Sequence, residues 1–132
     1  MPDALQGKRV LIVEDEPLVG MLLQDMVEED GATVVLLAQT LDEAVAAARS
    51  CHADVAILDI NLRGRMSYPA ATELTQRGIP VLFVTGYARE GIPADLARAP
   101  VLPKPYTSEQ IVASITRLLS AGPTGGAVAG NA

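Results

Sequence analysis

Four continuous apolar runs constrain the fold of this chain more than any other feature of its sequence. They are RVLIV at 9–13, TVVLLA at 33–38, VAILD at 55–59 and PVLFVT at 80–85, and a shorter run, PVL at 100–102, follows them. The runs are rich in β-branched residues and do not alternate apolar with polar positions, which is typical of strands covered on both faces of a parallel sheet. The sequence therefore predicts a five-stranded parallel sheet.

Segments with helical periodicity separate these strands. Apolar residues recur at helical spacing within 17–30, 41–51 and 108–120. In the first segment the apolar stripe consists of Val19, Leu22, Leu23, Met26 and Val27. Thr40 and Thr107 stand where helix N-caps are expected. This alternation predicts an α/β fold, and five strands favour the flavodoxin-like, doubly wound order 2-1-3-4-5 with helices on both faces.

The helix between the fourth and fifth strands has little room. Two glycines and two prolines within 86–100 leave space for about two turns, from Pro93 to Arg98. The apolar contribution of this segment comes mainly from Ile92 and Leu96, so little buried area offsets the entropy of ordering it. We expect the fourth helix to be short, mobile or partly disordered.

Length and composition fit a single domain that stands alone. We expect an N-terminal extension at 1–7, the domain at 8–120, and a disordered tail at 121–132, which is rich in Gly and Ala and has no apolar stripe. No apolar run reaches the roughly 18 residues that a membrane helix needs. The start of the chain also lacks the pattern of a secretory signal. We therefore expect a cytoplasmic protein without membrane insertion.

Charge and cysteine content exclude several classes of function. Ten basic against sixteen acidic residues give a net charge of −6, the wrong sign for direct binding of nucleic acid through its phosphates. Cys51 is the only cysteine, which excludes an internal disulfide and a zinc site with several cysteines. His52 is the only histidine and has no partner at ligand spacing, so a surface position at a helix end is expected.

Polar residues follow four of the predicted strands at the point where each strand ends. They are Glu14, Asp15 and Glu16 after the first strand, Asp59 at the third, Thr85 at the fourth and Lys104 after the fifth. In the predicted order these strands are neighbours, and ligands bind outside their carboxyl ends. We therefore expect these side chains to converge on one cleft.

This set of side chains favours phosphoryl transfer with magnesium. Clustered carboxylates repel one another unless a hard cation offsets their charge, and Mg²⁺ readily shares its ligands between carboxylates and a phosphoryl group. Asp59 can attack phosphorus to form an acyl phosphate. Lys104 and Thr85 can donate to the oxygens that gain charge during the transfer.

The motifs that carry these residues resemble receiver domains of bacterial two-component response regulators. The resemblance covers about residues 8–120 and rests on VLIVEDE at 10–16, DVAILDINL at 54–62, VLFVTGY at 81–87 and LPKP at 102–105. It implies a signalling domain that catalyses only its own phosphorylation and dephosphorylation.

The resemblance also implies a role for each site residue. Asp59 is the implied phosphorylation site, Asp15 and Asp59 are the implied side-chain ligands of Mg²⁺, the backbone carbonyl of Asn61 is a further ligand, Glu14 binds the metal through water, and Thr85 and Lys104 contact the phosphoryl group. Receivers typically have a cis peptide bond after this lysine, so we expect a cis bond at Lys104–Pro105.

The resemblance implies partners as well. VTGY followed by LPKPY is similar to the subgroup nicknamed FATGUY regulators, which are often paired with histidine kinases of the HWE type. A histidine kinase or histidine phosphotransfer protein is the implied donor, and the signal would pass by contact with an unknown downstream protein or along a phosphorelay. Many receivers have a switch Tyr or Phe where this chain has Val101, so we expect ordering of 86–100 to replace the rotation of an aromatic ring. Tyr106 is expected to pack at the start of the last helix.

Two alternatives remain open. A phosphohydrolase resembling the haloacid dehalogenase group would also use an aspartate nucleophile, but it would place a second aspartate where this chain has Asn61. A pseudo-receiver would bind a partner without accepting phosphate, and the complete acidic set argues against it.

Overall fold

The computed structural model describes residues 4–86 and 91–121. The strands there are β1 (Arg9–Val13), β2 (Thr33–Ala38), β3 (Val55–Asp59), β4 (Asn61–Leu62), β5 (Arg65–Met66), β6 (Val81–Thr85) and β7 (Val101–Pro103). The α-helices there are α1 (Pro17–Glu28), α2 (Leu41–Ser50), α3 (Tyr68–Gln76) and α4 (Ser108–Ala121). Among these elements, no helix is both long and apolar enough to cross a membrane.

Five of the strands form one parallel sheet in the order β2-β1-β3-β6-β7. In terms of the five predicted strands this is the order 2-1-3-4-5, so the predicted flavodoxin-like topology is confirmed. The register pairs Val13 with Leu58 and Asp59 with Val84. The carboxyl ends of β1, β3 and β6 therefore lie side by side at one edge of the sheet.

Each face of the sheet has its own apolar core. Alternate strand residues point to opposite faces, so Val10 and Ile12 pack with α1 and α4, whereas Leu11 and Val13 pack with α2 and α3. The predicted caps are formed at α2 and α4, since the Thr40 hydroxyl accepts from the backbone N–H of Glu43 and the Thr107 hydroxyl accepts from that of Gln110. Helices thus cover both faces, as predicted.

Two expectations about burial differ from the structure. β2 is an edge strand, and Val35 and Leu36 are 37% and 43% exposed instead of covered. In α1, Gly20 is buried together with Leu23 and Val27, while Leu22 is 60% exposed despite its place in the predicted stripe. Gly20 has no side chain and fits against Leu37, which rotates the buried face of α1 away from Leu22.

The segment between β3 and β6 contains two elements that the sequence patterns did not identify. The helix α3 buries Ala70, Ala71 and Leu74, a stripe of mostly small residues that gives a weak apolar signal. The other is a short antiparallel hairpin, β4–β5, which begins two residues after Asp59. Its strands have only two residues each, too few to show a period.

The element before β7 is shorter than predicted. In place of two helical turns from Pro93 to Arg98, there is a single 3-10 turn at Ala94–Leu96, anchored by the buried Leu96. The helical element between β6 and β7 is therefore short, as expected, and its mobility stays a prediction. Residues 87–90, which belong to the same segment, lie outside the described residues.

The Lys104–Pro105 peptide bond, between β7 and α4, is cis, which confirms that prediction.

The start of the described chain packs against the domain. Leu5 is fully buried in the core that contains residues of α1 and α4, and its backbone N–H donates to the backbone oxygen of Asp30 at 3.1 Å. The described part of the predicted 1–7 extension therefore packs against the domain, although the boundary at residue 8 stays a prediction.

Candidate functional site

Backbone hydrogen bonds between strand ends hold the predicted site residues at one edge of the sheet. Glu14 follows β1, and its N–H donates to the Ala38 carbonyl at 2.9 Å. Asp59 is the last residue of β3. Lys104 follows β7, and its N–H donates to the Thr85 carbonyl at the end of β6 at 2.8 Å. The sheet thus fixes the backbone from which each side chain starts.

Lys104 joins two of the carboxylates. Its Nζ lies 3.0 Å from Asp59 Oδ2 and 3.2 Å from Glu14 Oε1. Burial lowers the pKa of Lys104, but its hydrogen bonds to Asp59 and Glu14 and their charges outweigh this effect, so the pKa is raised above its ordinary value. Lys104 is therefore a fixed cation beside Asp59.

Glu14 is buried more deeply than Asp59, with 1% of its surface exposed against 7%. Burial raises the pKa of Glu14 to about 7, although the hydrogen bond from the Glu16 N–H opposes the increase and the charge of Asp59 adds to it. A cation in the site would favour the ionised form of this carboxyl group.

The acids form a cluster with the chemistry of a hard-cation site. Glu14, Asp15 and Asp59 each place one carboxylate oxygen so that the three atoms lie within 4.8 Å of one another. Oxygen ligands of this kind suit Mg²⁺, which binds through one or two carboxylates and keeps several waters. The donor set therefore fits magnesium.

A pocket of about 560 Å³ opens above this cluster. Its lining residues are Asp15, Glu16, Asp59, Asn61, Arg63, Gly64, Gly86 and Lys104. Thr85 is 2% exposed, and its backbone carbonyl accepts from the N–H of Lys104. The side-chain oxygen of Asn61 accepts from the N–H of Gly64 at 2.6 Å, which leaves the backbone carbonyl as the ligand atom that the resemblance implies.

Four of the predicted site residues, Asp15, Asp59, Asn61 and Lys104, line the pocket, while Glu14 contacts Lys104 and Thr85 is joined to Lys104 through its backbone carbonyl. Arg63 and Gly64 of the hairpin also line the pocket. Arg63 Nε lies 3.7 Å from Asp15 Oδ2. Sequence reasoning missed these residues because the hairpin strands were not identified. The only available signal was the Arg-Gly pair after INL, where the glycine allows a tight two-residue turn.

The strand order defines a flavodoxin-like α/β fold, and this fold carries an acidic pocket beside a lysine. Comparison with known proteins identifies the family. The model of the response regulator receiver domain matches residues 10–116. The chain therefore belongs to the response regulator receiver family, a family of signalling domains.

Several relatives are similar to this chain. The solution structure of SdrG from Sphingomonas melonis Fr1 is 39% identical, with a TM-score of 0.73, and the match covers 88% of this chain and 98% of that one. The crystal structure of PhyR from Brucella abortus is 30% identical, with a TM-score of 0.74, over 90% of this chain and 51% of that one.

Among curated proteins, the transcriptional regulatory protein PdtaR of Mycobacterium tuberculosis is 30% identical over 89% of this chain. The match spans 60% of the length of PdtaR. The similarity to PdtaR and to PhyR thus concerns one part of each longer protein.

Proposed function

We propose that the chain accepts a phosphoryl group on Asp59 in a Mg²⁺-dependent reaction and passes a signal by contact with another protein or along a phosphorelay. The observation that carries this proposal is the position of Asp59. Its side chain lines the pocket, and its Oδ2 accepts a hydrogen bond from Lys104 Nζ at 3.0 Å, which holds the carboxylate in place. A carboxylate that lines a pocket and is held in place is the nucleophile that acyl phosphate formation needs.

The transfer step is a displacement at phosphorus. An oxygen of Asp59 forms a bond to phosphorus, and the bond from phosphorus to the imidazole nitrogen of a donor phosphohistidine breaks, with the electron pair staying on that nitrogen. Lys104 and the hydroxyl of Thr85 would donate to the phosphoryl oxygens. Asp15, Asp59 and the Asn61 carbonyl would hold Mg²⁺ directly and Glu14 through water, and the metal would neutralise charge on the transferred group.

The structure gives an argument against the phosphohydrolase alternative. That mechanism needs a general acid two residues after the nucleophile, and Asn61 stands there with its side-chain oxygen engaged by the Gly64 N–H. An amide at this position supplies no acidic proton at neutral pH. Release of a bound phosphoryl group would therefore depend on water without a dedicated acid.

Incubation with acetyl phosphate and Mg²⁺, followed by intact mass measurement, tests this proposal. We expect a labile gain of one phosphoryl group that is absent in Asp59→Asn and absent without a divalent cation. Continuous turnover of a small phosphoester would favour a phosphohydrolase. A folded protein that gains no phosphoryl group under these conditions would be a pseudo-receiver.

The donor in this proposal is a histidine kinase, including the HWE type, or a histidine phosphotransfer protein in the cytoplasm. A donor must cover the surface around the pocket to reach Asp59. There α1 exposes Leu18 and Leu22, which are 75% and 60% accessible. An apolar groove of about 460 Å³ between α1 and the Lys104–Tyr106 segment shares Lys104 with the pocket, so a docked donor would bury both.

A charge placed in this groove separates docking from chemistry. We expect Leu22→Glu to slow transfer from a phosphorylated histidine protein by at least about tenfold, because a buried unpaired charge is costly. The rate with acetyl phosphate should not change, since this small donor needs no docking surface. Equal rates of both reactions in wild type and variant would place the donor elsewhere.

The phosphorylated state is proposed to be read through 86–100. Thr85 is linked by its backbone carbonyl to Lys104, and Gly86 lines the pocket, so a bound phosphoryl group lies next to the start of this segment. Val101 is half-buried on β7 and provides no rotating ring. Hydrogen exchange with and without beryllofluoride would show greater protection of 91–100 in the bound state, and equal protection would contradict this readout.

A further inference from the structure

Arg63 occupies an unusual backbone position beside the pocket. It forms with Gly64 the two-residue connection of the β4–β5 hairpin, where Asn61 pairs with Met66 and Leu62 with Arg65. The φ angles of Arg63 and Gly64 are 56° and 90°. Two successive positive φ angles are the pattern of the hairpin turn that matches the twist of its strands.

The turn does not explain why this residue is an arginine. The first position of such a turn favours Asn, Asp or Gly, because other side chains crowd the backbone in the left-handed region. Arg63 is therefore an unfavourable choice for the backbone. Its side chain must be explained by what it contacts.

The contact is with Asp15. Arg63 Nε lies 3.7 Å from Asp15 Oδ2, and Nη2 lies 3.5 Å from the Asp15 backbone oxygen. Asp15 is also one of the three acids that the proposed metal site uses. The guanidinium group thus lies at the carboxylate that a divalent cation would bind.

We propose that Arg63 is a tethered competitor of the divalent cation at Asp15. This inference rests on the metal site of the proposed function. In the free protein the guanidinium offsets the charge of Asp15, and a metal ion must displace it in order to bind. Arg63 therefore lowers the affinity of the free protein for Mg²⁺, without being required for the phosphoryl transfer itself.

The exposure of Arg63 makes this displacement easy. The side chain is 76% exposed, whereas that of Asp15 is 14% exposed. Exposed ion pairs are weak and are screened by salt, so the competition should change the affinity for Mg²⁺ by about two- to fivefold. Once displaced, the side chain remains solvated at the rim of the pocket and loses little.

A magnesium titration of matched variants tests the inference. The shifts of the backbone amides of Asp15, Asp59 and Lys104 are followed by NMR in wild type, Arg63→Asn and Arg65→Asn. Arg65 lies on the same hairpin but pairs with Asp42 at 3.6 Å, outside the pocket, so its replacement removes the same charge without the contact to Asp15. Asparagine suits the positive φ at position 63, so the hairpin should be retained.

We expect Arg63→Asn to bind Mg²⁺ about two- to fivefold more tightly than wild type, and Arg65→Asn to bind it within about 1.5-fold of wild type. The difference should grow when the ionic strength is lowered. Arg63→Gly should reproduce the effect, which excludes the new asparagine amide as an added ligand.

Two outcomes of the Mg²⁺ titration would contradict the inference. Equal tightening in the Arg63 and Arg65 variants would show a general charge effect and overturn the inference. Unchanged or weaker binding in Arg63→Asn would also overturn it. These outcomes leave phosphorylation by acetyl phosphate intact, whereas a wild-type protein that binds no Mg²⁺ would overturn the metal site and the inference together.

Discussion

Lys104 and Arg63 bring positive charge to the same pocket, but the protein holds the two side chains in different ways. The Lys104 side chain is 25% exposed and contacts two buried carboxylates at 3.0 and 3.2 Å, whereas Arg63 is 76% exposed and lies 3.7 Å from Asp15. A cationic side chain can therefore be held firmly against its carboxylates on one side of a site and be easily displaced from its carboxylate on the other. Burial decides which, because solvent weakens exposed pairs.

The elements behind these side chains differ in the same way. Lys104 leads from β7 into α4, whose buried face packs in a core that also contains strands of the sheet. Arg63 stands at the tip of a hairpin of which Leu62 is buried and Met66 is 38% exposed. One side of the pocket is built on the main core, and the other is attached to it mainly through the first strand of the hairpin.

The largest difference should appear in stability. Ile111 is fully buried in α4, so Ile111→Ala should lower the free energy of unfolding by about 2 to 5 kcal/mol through lost burial and the cavity that remains. Met66→Ala in the hairpin should change it by less than about 0.5 kcal/mol. Urea unfolding of both variants measures this difference. Similar losses would show that the hairpin contributes to the core as strongly as α4 does.

The next effect concerns the reaction. Lys104→Ala removes a cation aimed at the position where charge develops, so phosphorylation by acetyl phosphate should slow by about 100-fold or more, equivalent to about 2.7 kcal/mol. Arg65→Ala removes the same charge outside the pocket and should react at the wild-type rate. The rates are measured by intact mass at saturating Mg²⁺. Comparable slowing in both variants would mean that net charge matters more than the fixed position of Lys104.

Sequence patterns predicted the side of the pocket built on the core much better than the hairpin side. Strand runs of five or six residues give a clear signal, and parallel topology then brings Glu14, Asp59 and Lys104 to one edge. The acids and the lysine could therefore be assigned to one cleft from the sequence alone. The motif resemblance added the roles of Asn61 and Thr85.

The hairpin side could not be predicted in this way. Two-residue strands have no measurable period. Arg63 and Asp15 are also 48 positions apart in the chain, and they meet only because the hairpin turn lies beside the end of β1. The prediction that Leu22 belongs to the buried face of α1 was wrong for a related reason. Gly20 gives no apolar signal in the sequence, yet its close fit against Leu37 decides which face of the helix meets the sheet.

The smallest effect tests the hairpin tip itself. Gly64 has φ 90° and no atom within 4 Å of the position a Cβ would take, so Gly64→Ala should act through backbone strain alone. That strain should lower the free energy of unfolding by about 1 to 2 kcal/mol. Gly86→Ala is the matched control, because this position also has open space but no positive φ, and we expect almost no loss of stability there. Urea unfolding measures both.

The response of the tip also bears on Arg63. If Gly64→Ala is strained, the turn is held in its left-handed form by its neighbours, including the hydrogen bond from the Gly64 N–H to Asn61, and Arg63 is then directed at Asp15 by the backbone. If the variant is as stable as wild type, the tip relaxes to accept a Cβ. The contact between Arg63 and Asp15 would then depend on a mobile side chain alone, and the contrast with Lys104 would be greater than the distances indicate.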